Sequence, residues 1–196
     1  SYKSLKNKKI AIPAVSWSTT LSPFIQLGYE PFLIDCDKNN LGINLDHFYE
    51  IVKKEGISTL VLVHVLGHDS SIEKILDICE EKNIRLFEDS CESLGSICGG
   101  KRLGSFGLAS SFSFYYGHHI STIEGGAVCT SDNEFADLIC SMRSHGWSRD
   151  LPKEKALNLK NKYNISNFRD LYSFYYPGFN LRSSDLNAYL GLQQLK

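Results

Sequence analysis

Nowhere in the 196 residues do two cysteines stand in a C-x-x-C pair, although the chain carries six: Cys36, Cys79, Cys91, Cys98, Cys129 and Cys140. Most lie in apolar stretches, where a free thiol behaves as a small hydrophobe, so neither a disulfide framework nor a zinc site is expected. Charge of one sign is missing as a block as well. The net charge is −1 with both signs mixed along the chain, which leaves no basic stripe for nucleic acid and no acidic tail. The apolar run at 10–15 is too short for a membrane span or a secretory leader. A soluble, cytoplasmic protein with no nucleic-acid or membrane partner is the expectation. Internal repeats and low-complexity tracts are absent from the sequence too.

What is present is an alternation of short apolar strands with helical segments. Strands are predicted at 10–15, 31–35, 59–64 and 84–89, with 59–64 a near-continuous apolar run of the kind buried on both faces of a parallel sheet. Between them, helices are predicted at 20–27 with Gly28 closing it, from Asp46 as cap to 54, and at 71–82. Such alternation implies an α/β fold, a mostly parallel central sheet with helices on both faces. Further strands at 109–114 and 127–130 flank a turn and could pair antiparallel. A helix is expected at 133–144, a mobile loop with some helix at 150–173, and a final helix at 183–196 capped by Ser183 or Ser184. The abrupt end of that helix suggests a fragment.

Ligands of open α/β sheets gather at the carboxyl edge of the strands, and Asp35 and Asp89 both stand there. Ser111-Phe-Ser-Phe-Tyr-Tyr-Gly-His118-His119-Ile-Ser-Thr-Ile-Glu124-Gly-Gly126 runs from a strand into a turn. It lifts two imidazoles clear of the sheet, and imidazole is the side chain that exchanges protons near neutral pH. His64 and His68 are four apart on a strand and the loop after it, not on one helical face, so no metal is expected.

Seven motifs occur in the order expected of one family: Pro13-Ala-Val-Ser-Trp17-Ser-Thr-Thr20, Val63-His-Val-Leu-Gly67, Glu88-Asp89-Ser-Cys-Glu92-Ser, Ser111-Phe-Ser113, Glu124-Gly-Gly126, Arg143-Ser-His145-Gly and Pro177-Gly-Phe-Asn180-Leu-Arg182. Across essentially the whole chain they resemble the DegT-type sugar aminotransferases, pyridoxal-phosphate proteins of the aspartate aminotransferase fold. One position departs from the pattern: where the aminotransferases carry the lysine that binds the cofactor as a Schiff base, this chain has His118. That substitution resembles the 3-dehydratase branch, of the GDP-linked colitose type. A relative that uses an iron–sulfur cluster holds it on cysteines after the His-Gly motif, and no cysteine follows Cys140 here.

The resemblance implies a cofactor, pyridoxal or pyridoxamine 5'-phosphate, held noncovalently because an imidazole forms no stable imine. It implies His118 as the proton carrier and Asp89 as the carboxylate on the ring nitrogen. Glu92 would meet the 3′ oxygen, Trp17 would stack on the ring, and Ser113 would donate to the phosphate. Asn180 would reach that phosphate from a neighbouring subunit, which implies a homodimer with shared sites. The substrate would be a nucleotide-linked 4-keto-6-deoxy sugar, bound with help from His119, His145, Arg149 and Arg182, and the amino donor would be glutamate. By the same resemblance, 1–182 would be a partial cofactor-binding large domain, truncated at both ends, and 183–196 the start of a helix leading to a missing small domain. Two other readings stay open: a sugar aminotransferase using another lysine, Lys101 being the nearest, and an inactive fragment or scaffold of this fold.

Overall fold

A computed structural model describes residues 7–195. The first six residues of the expected 1–182 domain and Lys196, the last of the expected terminal helix, lie outside the described residues. The fold is α/β. One six-stranded sheet is built from β1 (Lys9–Pro13), β2 (Glu30–Ile34), β3 (Thr59–Val63), β4 (Arg85–Asp89), β7 (Ala109–Ser113) and β8 (Gly126–Cys129). Its order is β2-β1-β3-β4-β7-β8, parallel throughout except for the antiparallel β7–β8 pair. β5 (Ile97–Cys98) and β6 (Lys101–Arg102) form a separate hairpin in the β4–β7 crossover.

Helices cover both faces, as the alternation of the strands requires. On one face α2 (Leu45–Glu55) and α3 (Ile72–Lys82) bury Phe48, Val52, Ile72 and Ile75 against Ala11, Leu60, Leu62 and Leu86. On the other, α1 (Ser18–Gln26) packs Leu21 and Phe24 on Ile10, Ile12 and Val61, and Phe135 of α4 (Asn133–Met142) meets Phe87 at 6.2 Å between ring centroids. Two devices fix the ends of these helices. Asn44 and Asp132 accept the N–H groups of His47 and Phe135 as N-caps, and Gly56 closes α2 in the left-handed region at φ 67°.

Several boundaries differ from those read from the sequence. Asn44, not Asp46, caps α2, and Asp46 sits in its first turn. α1 begins at Ser18, with Trp17 as its N-cap residue. In the stretch expected to be a mobile loop with some helix, the helix is α5 (Lys153–Lys162), of ten residues, and the short α6 (Asn167–Asp170). α5 buries nothing; Glu154 in its first turn and Lys160 and Lys162 in its last complement the helix dipole, and its Lys, Glu, Ala and Leu residues favour helix locally. α7 (Asp185–Gln194) is capped by Ser184. Among the described residues no helix is long and apolar enough to cross a membrane.

Candidate active site

Because β1 to β4 and β7 run parallel, their last residues share one edge of the sheet. Along β4, Leu86 and Glu88 face α2 and α3, whereas Phe87 and Asp89 face α1 and α4. Asp89 ends the strand with both carboxylate oxygens engaged. Thr20 of α1 donates its hydroxyl to Oδ2 at 2.7 Å, and the Cys91 N–H donates to Oδ1 at 3.3 Å. Burial, reinforced by the hydrogen bond to Asp89, pushes the Cys91 thiol up to about 12. The thiol therefore stays neutral. Below Asp89, a cavity of about 280 Å³ opens between α1, α4 and the sheet, lined by Thr19, Thr20, Phe87, Asp89, Ser111 and Phe135 among others.

The other residues of the expected cofactor set stand along the same edge. Trp17 is 76% exposed, three residues before Thr20, so one helix carries an uncovered aromatic face and the donor to Asp89. Asp89 pairs with Ser111 in the β4–β7 register, and Ser113, two residues on, ends β7 on the same side of the sheet. The Ser113 hydroxyl accepts the Tyr115 N–H at 3.3 Å. Five residues further along, His118 is half-buried in a turn closed by its own N–H to the Tyr115 carbonyl at 3.1 Å. His118 and Asp89 thus leave adjacent strands at one edge; His119 is exposed beside them. Glu92 is not free: its Oε2 accepts the Leu66 N–H at 2.8 Å and holds Leu66 in the left-handed region at φ 52°.

Behind Asp89 lies a buried hydrogen-bonded pair that the sequence reading missed. Glu88 and His64 are 2% and 0% exposed, with His64 Nε2 2.9 Å from Glu88 Oε2. The same carboxylate accepts three backbone N–H groups, from Gly104, Phe106 and Gly107, each at 2.7 Å. Burial pushes the Glu88 carboxyl up, but His64 and the N–H groups of Gly107 and Gly104 outweigh it, so the group lies below its ordinary value. His64 Nδ1 is buried with no hydrogen-bond partner among the described residues. The available signal was periodicity: Glu88 alternates in step with Leu86, a core position where a carboxylate demands a partner.

His145, Arg149 and Arg182 of the expected substrate residues form a second group with Asn180 of the expected cofactor set. His145 adopts φ 63° and donates its N–H to the Phe179 carbonyl at 2.7 Å, while Arg182 Nη2 lies 3.3 Å from His145 Nε2 and its Nε donates to Asn180 Oδ1 at 3.4 Å. Asn180 bridges Ser144 in the backbone and is exposed. Arg149 lies over the Trp147 ring at 4.0 Å and donates to the Leu171 carbonyl. The alternative lysine, Lys101, belongs to the β5–β6 hairpin, outside the main sheet, with its ammonium 5.9 Å from the Phe106 centroid. No group of three or more His, Cys, Asp or Glu side chains able to hold a metal ion occurs among the described residues.

The chain as a whole has counterparts among known proteins. The chain is 36% identical over 191 residues to the GDP-4-keto-6-deoxy-D-mannose 3-dehydratase of Yersinia pseudotuberculosis, covering 97% of this chain and 48% of that protein. A His-to-Asn variant of a GDP-4-keto-6-deoxymannose-3-dehydratase with bound GDP-perosamine superimposes with a TM-score of 0.85 at 36% identity, covering 97% of this chain and 48% of that one. A further structure of such a dehydratase, holding a trapped PLP-glutamate geminal diamine, gives 0.86 at 36% identity with the same coverage. The chain spans about half the length of the curated relatives it matches. The model of the DegT/DnrJ/EryC1/StrS aminotransferase family matches residues 3–196, and the chain belongs to that family.

Proposed function

We propose that the protein carrying this chain is a nucleotide-sugar 3-dehydratase that uses pyridoxal or pyridoxamine 5'-phosphate, held noncovalently, to remove the C3 hydroxyl of a GDP-linked 4-keto-6-deoxy sugar. The observation that carries the reading is His118 at the exit of β7, beside the β4 end that bears Asp89. An imidazole there can carry protons but cannot tether an aldehyde as an amine does.

The residues fit such a group by the chemistry of the donors. A carboxylate with two hydrogen bonds suits a protonated ring nitrogen, and Trp17 presents an uncovered flat face on the helix that also holds that carboxylate. When bound, the cofactor supplies an electron sink for a carbanion. Asp89 keeps the ring nitrogen protonated, and Thr20 and the Cys91 N–H hold its carboxylate in place. Glu92, with Oε2 committed to Leu66, offers Oε1 to the 3′ oxygen, and the Ser113 hydroxyl serves the phosphate. His118 would hold and move the proton at the cofactor's C4′ carbon and would protonate the departing C3 hydroxyl, which would leave as water. His119, His145, Arg149 and Arg182 serve the sugar and its diphosphate, guanidinium offering a fork for phosphate oxygens. The cofactor's amino nitrogen would leave the sugar as ammonia when the C4 ketone re-forms, and glutamate would supply its replacement.

By the same reading residues 1–182 belong to the cofactor-binding large domain and α7 begins the helix toward a C-terminal small domain. Asn180 would serve the phosphate of a neighbouring subunit in a cytoplasmic homodimer with shared sites. The reaction serves deoxysugar synthesis for lipopolysaccharide O-antigen of the colitose kind. Incubating the full-length protein with GDP-4-keto-6-deoxymannose, glutamate and cofactor, then weighing the sugar, tests the assignment. A product lacking the C3 oxygen is expected; a product that keeps it, or a borohydride-tagged lysine, sinks it.

A further inference from the structure

We propose that α7 positions His118, and that Asn187 and Gln194 are the residues through which it does so. The turn that carries His118 spans 114–125 and is closed at its base by the Phe114 N–H to Gly125 carbonyl bond at 2.9 Å and the Thr122 N–H to Phe114 carbonyl bond at 2.8 Å. Above that base its backbone turns outward and needs external partners, since an unpaired backbone group in a half-buried place is costly.

One face of α7 supplies them. Asn187 donates Nδ2–H to the carbonyls of Thr122 and Glu124, at 2.7 and 3.2 Å. Gln194 accepts the Ser121 N–H on Oε1 at 2.9 Å and donates Nε2–H back to the Ser121 carbonyl. Residues 187, 191 and 194 recur at helical spacing on one face, and position 191 is glycine. A Cβ there would meet Thr122 Cγ2 at 3.1 Å, so the missing side chain lets the helix lie against the turn. Between the two carbonyls held by Asn187 stands Ile123, a β-branched residue in the left-handed region at φ 71°. That conformation is unfavourable and persists only where surrounding contacts impose it. Asn187 also works in the other direction, because its Oδ1 accepts from Ser184 in the capping box of α7. The start of α7 and the far side of the His118 turn are therefore one hydrogen-bonded unit.

Two near-isosteric changes separate this role from helix stability. Asn187→Asp keeps the oxygen that completes the capping box and loses both donations to the turn. Gln194→Glu keeps the acceptor for Ser121 N–H and loses the donor. In the full-length protein, amide exchange across 114–125 should accelerate about tenfold in each variant, as expected when a local clamp opens, while exchange in α4 stays unchanged. Modification of His118 by diethyl pyrocarbonate, read by peptide mass, should quicken in parallel. If His118 is the proton carrier proposed above, kcat should fall about tenfold or more with KM for the nucleotide sugar little changed, the cost of a misplaced reacting group. Unaltered exchange and unaltered His118 reactivity in both variants would overturn the proposal, as would a loosened turn that leaves kcat intact. Failure of the wild-type protein to dehydrate the sugar tells against the reaction assignment alone, because the exchange and modification measurements decide the clamp without it.

Discussion

Thr20 on α1 and Asp89 at the end of β4 are 69 residues apart in the chain and joined by a 2.7 Å hydrogen bond. Through it the helix that presents Trp17 also fixes the carboxylate assigned to the ring nitrogen. Thr20→Val keeps the shape and removes the donor. Because the lost bond is to a charged group, the expected cost is about 1.5–3 kcal/mol, measured by denaturant unfolding. Turnover should fall further than stability does, and Thr20→Ser, which restores the hydroxyl, should recover most of both.

Glu88 makes the protein acid-sensitive in a defined direction. Burial would raise its carboxyl, yet His64 and the backbone N–H groups of Gly107 and Gly104 hold it below the ordinary value, about 4.3 for glutamate. With the folded pKa below the unfolded one, the folded state binds fewer protons. The stabilisation is then complete above about pH 4.3 and disappears as pH falls through the lowered folded value. Glu88→Gln puts an amide donor among groups that already donate, and loss of hydrogen bonding to the charged carboxylate costs about 1.5–3 kcal/mol. Unfolding free energies measured from pH 3 to 7 should show a shallower acid limb in the variant.

The parts of this fold legible in the sequence were those written in local pattern. The apolar run of β3 declared a strand covered on both sides, and Gly28 and Ser184, the latter one of two candidate caps, marked helix ends by their own chemistry. Trp17, Asp89, Ser113 and His118 were legible as members of ordered motifs, and the sheet brings them to one edge because its strands are parallel. α5 was legible only as some helix within a mobile loop, because it has no buried residue to impose a period. The Thr20–Asp89, His64–Glu88 and Asn187–Thr122 bonds bridge 69, 24 and 65 residues. No local pattern records which polar side chain meets which across such distances; only the packed sheet decides it.

Gly146 and Gly178 allow the two segments of the second residue group to touch. A Cβ on Gly146 would stand 1.9 Å from the Tyr176 carbonyl oxygen, and one on Gly178 would stand 2.2 Å from the Gly146 nitrogen. These are backbone atoms and cannot swing aside. Gly146 is also left-handed at φ 82°. Gly146→Ala should therefore cost about 1–3 kcal/mol from overpacking and about 1–2 kcal/mol more from the left-handed backbone. Thermal unfolding should show it as a clear drop in Tm, with the adjoining His145–Arg182 contact disturbed.

His118→Asn tests the imidazole itself. Asparagine is smaller but keeps a polar tip in a half-buried turn and leaves the backbone N–H to the Tyr115 carbonyl untouched, so the fold and Tm should be nearly unchanged. What it cannot do is accept and release a proton near neutral pH. Since general acid–base groups contribute about 10²–10⁴ in rate, turnover should drop by that order while the absorbance of added cofactor still reports binding. The contrast with Asp89→Asn is informative, because that change removes the charge facing the ring nitrogen and should weaken cofactor binding as well as turnover. A His118→Asn variant that dehydrates the sugar at the wild-type rate would move the proton carrier elsewhere along the sheet edge.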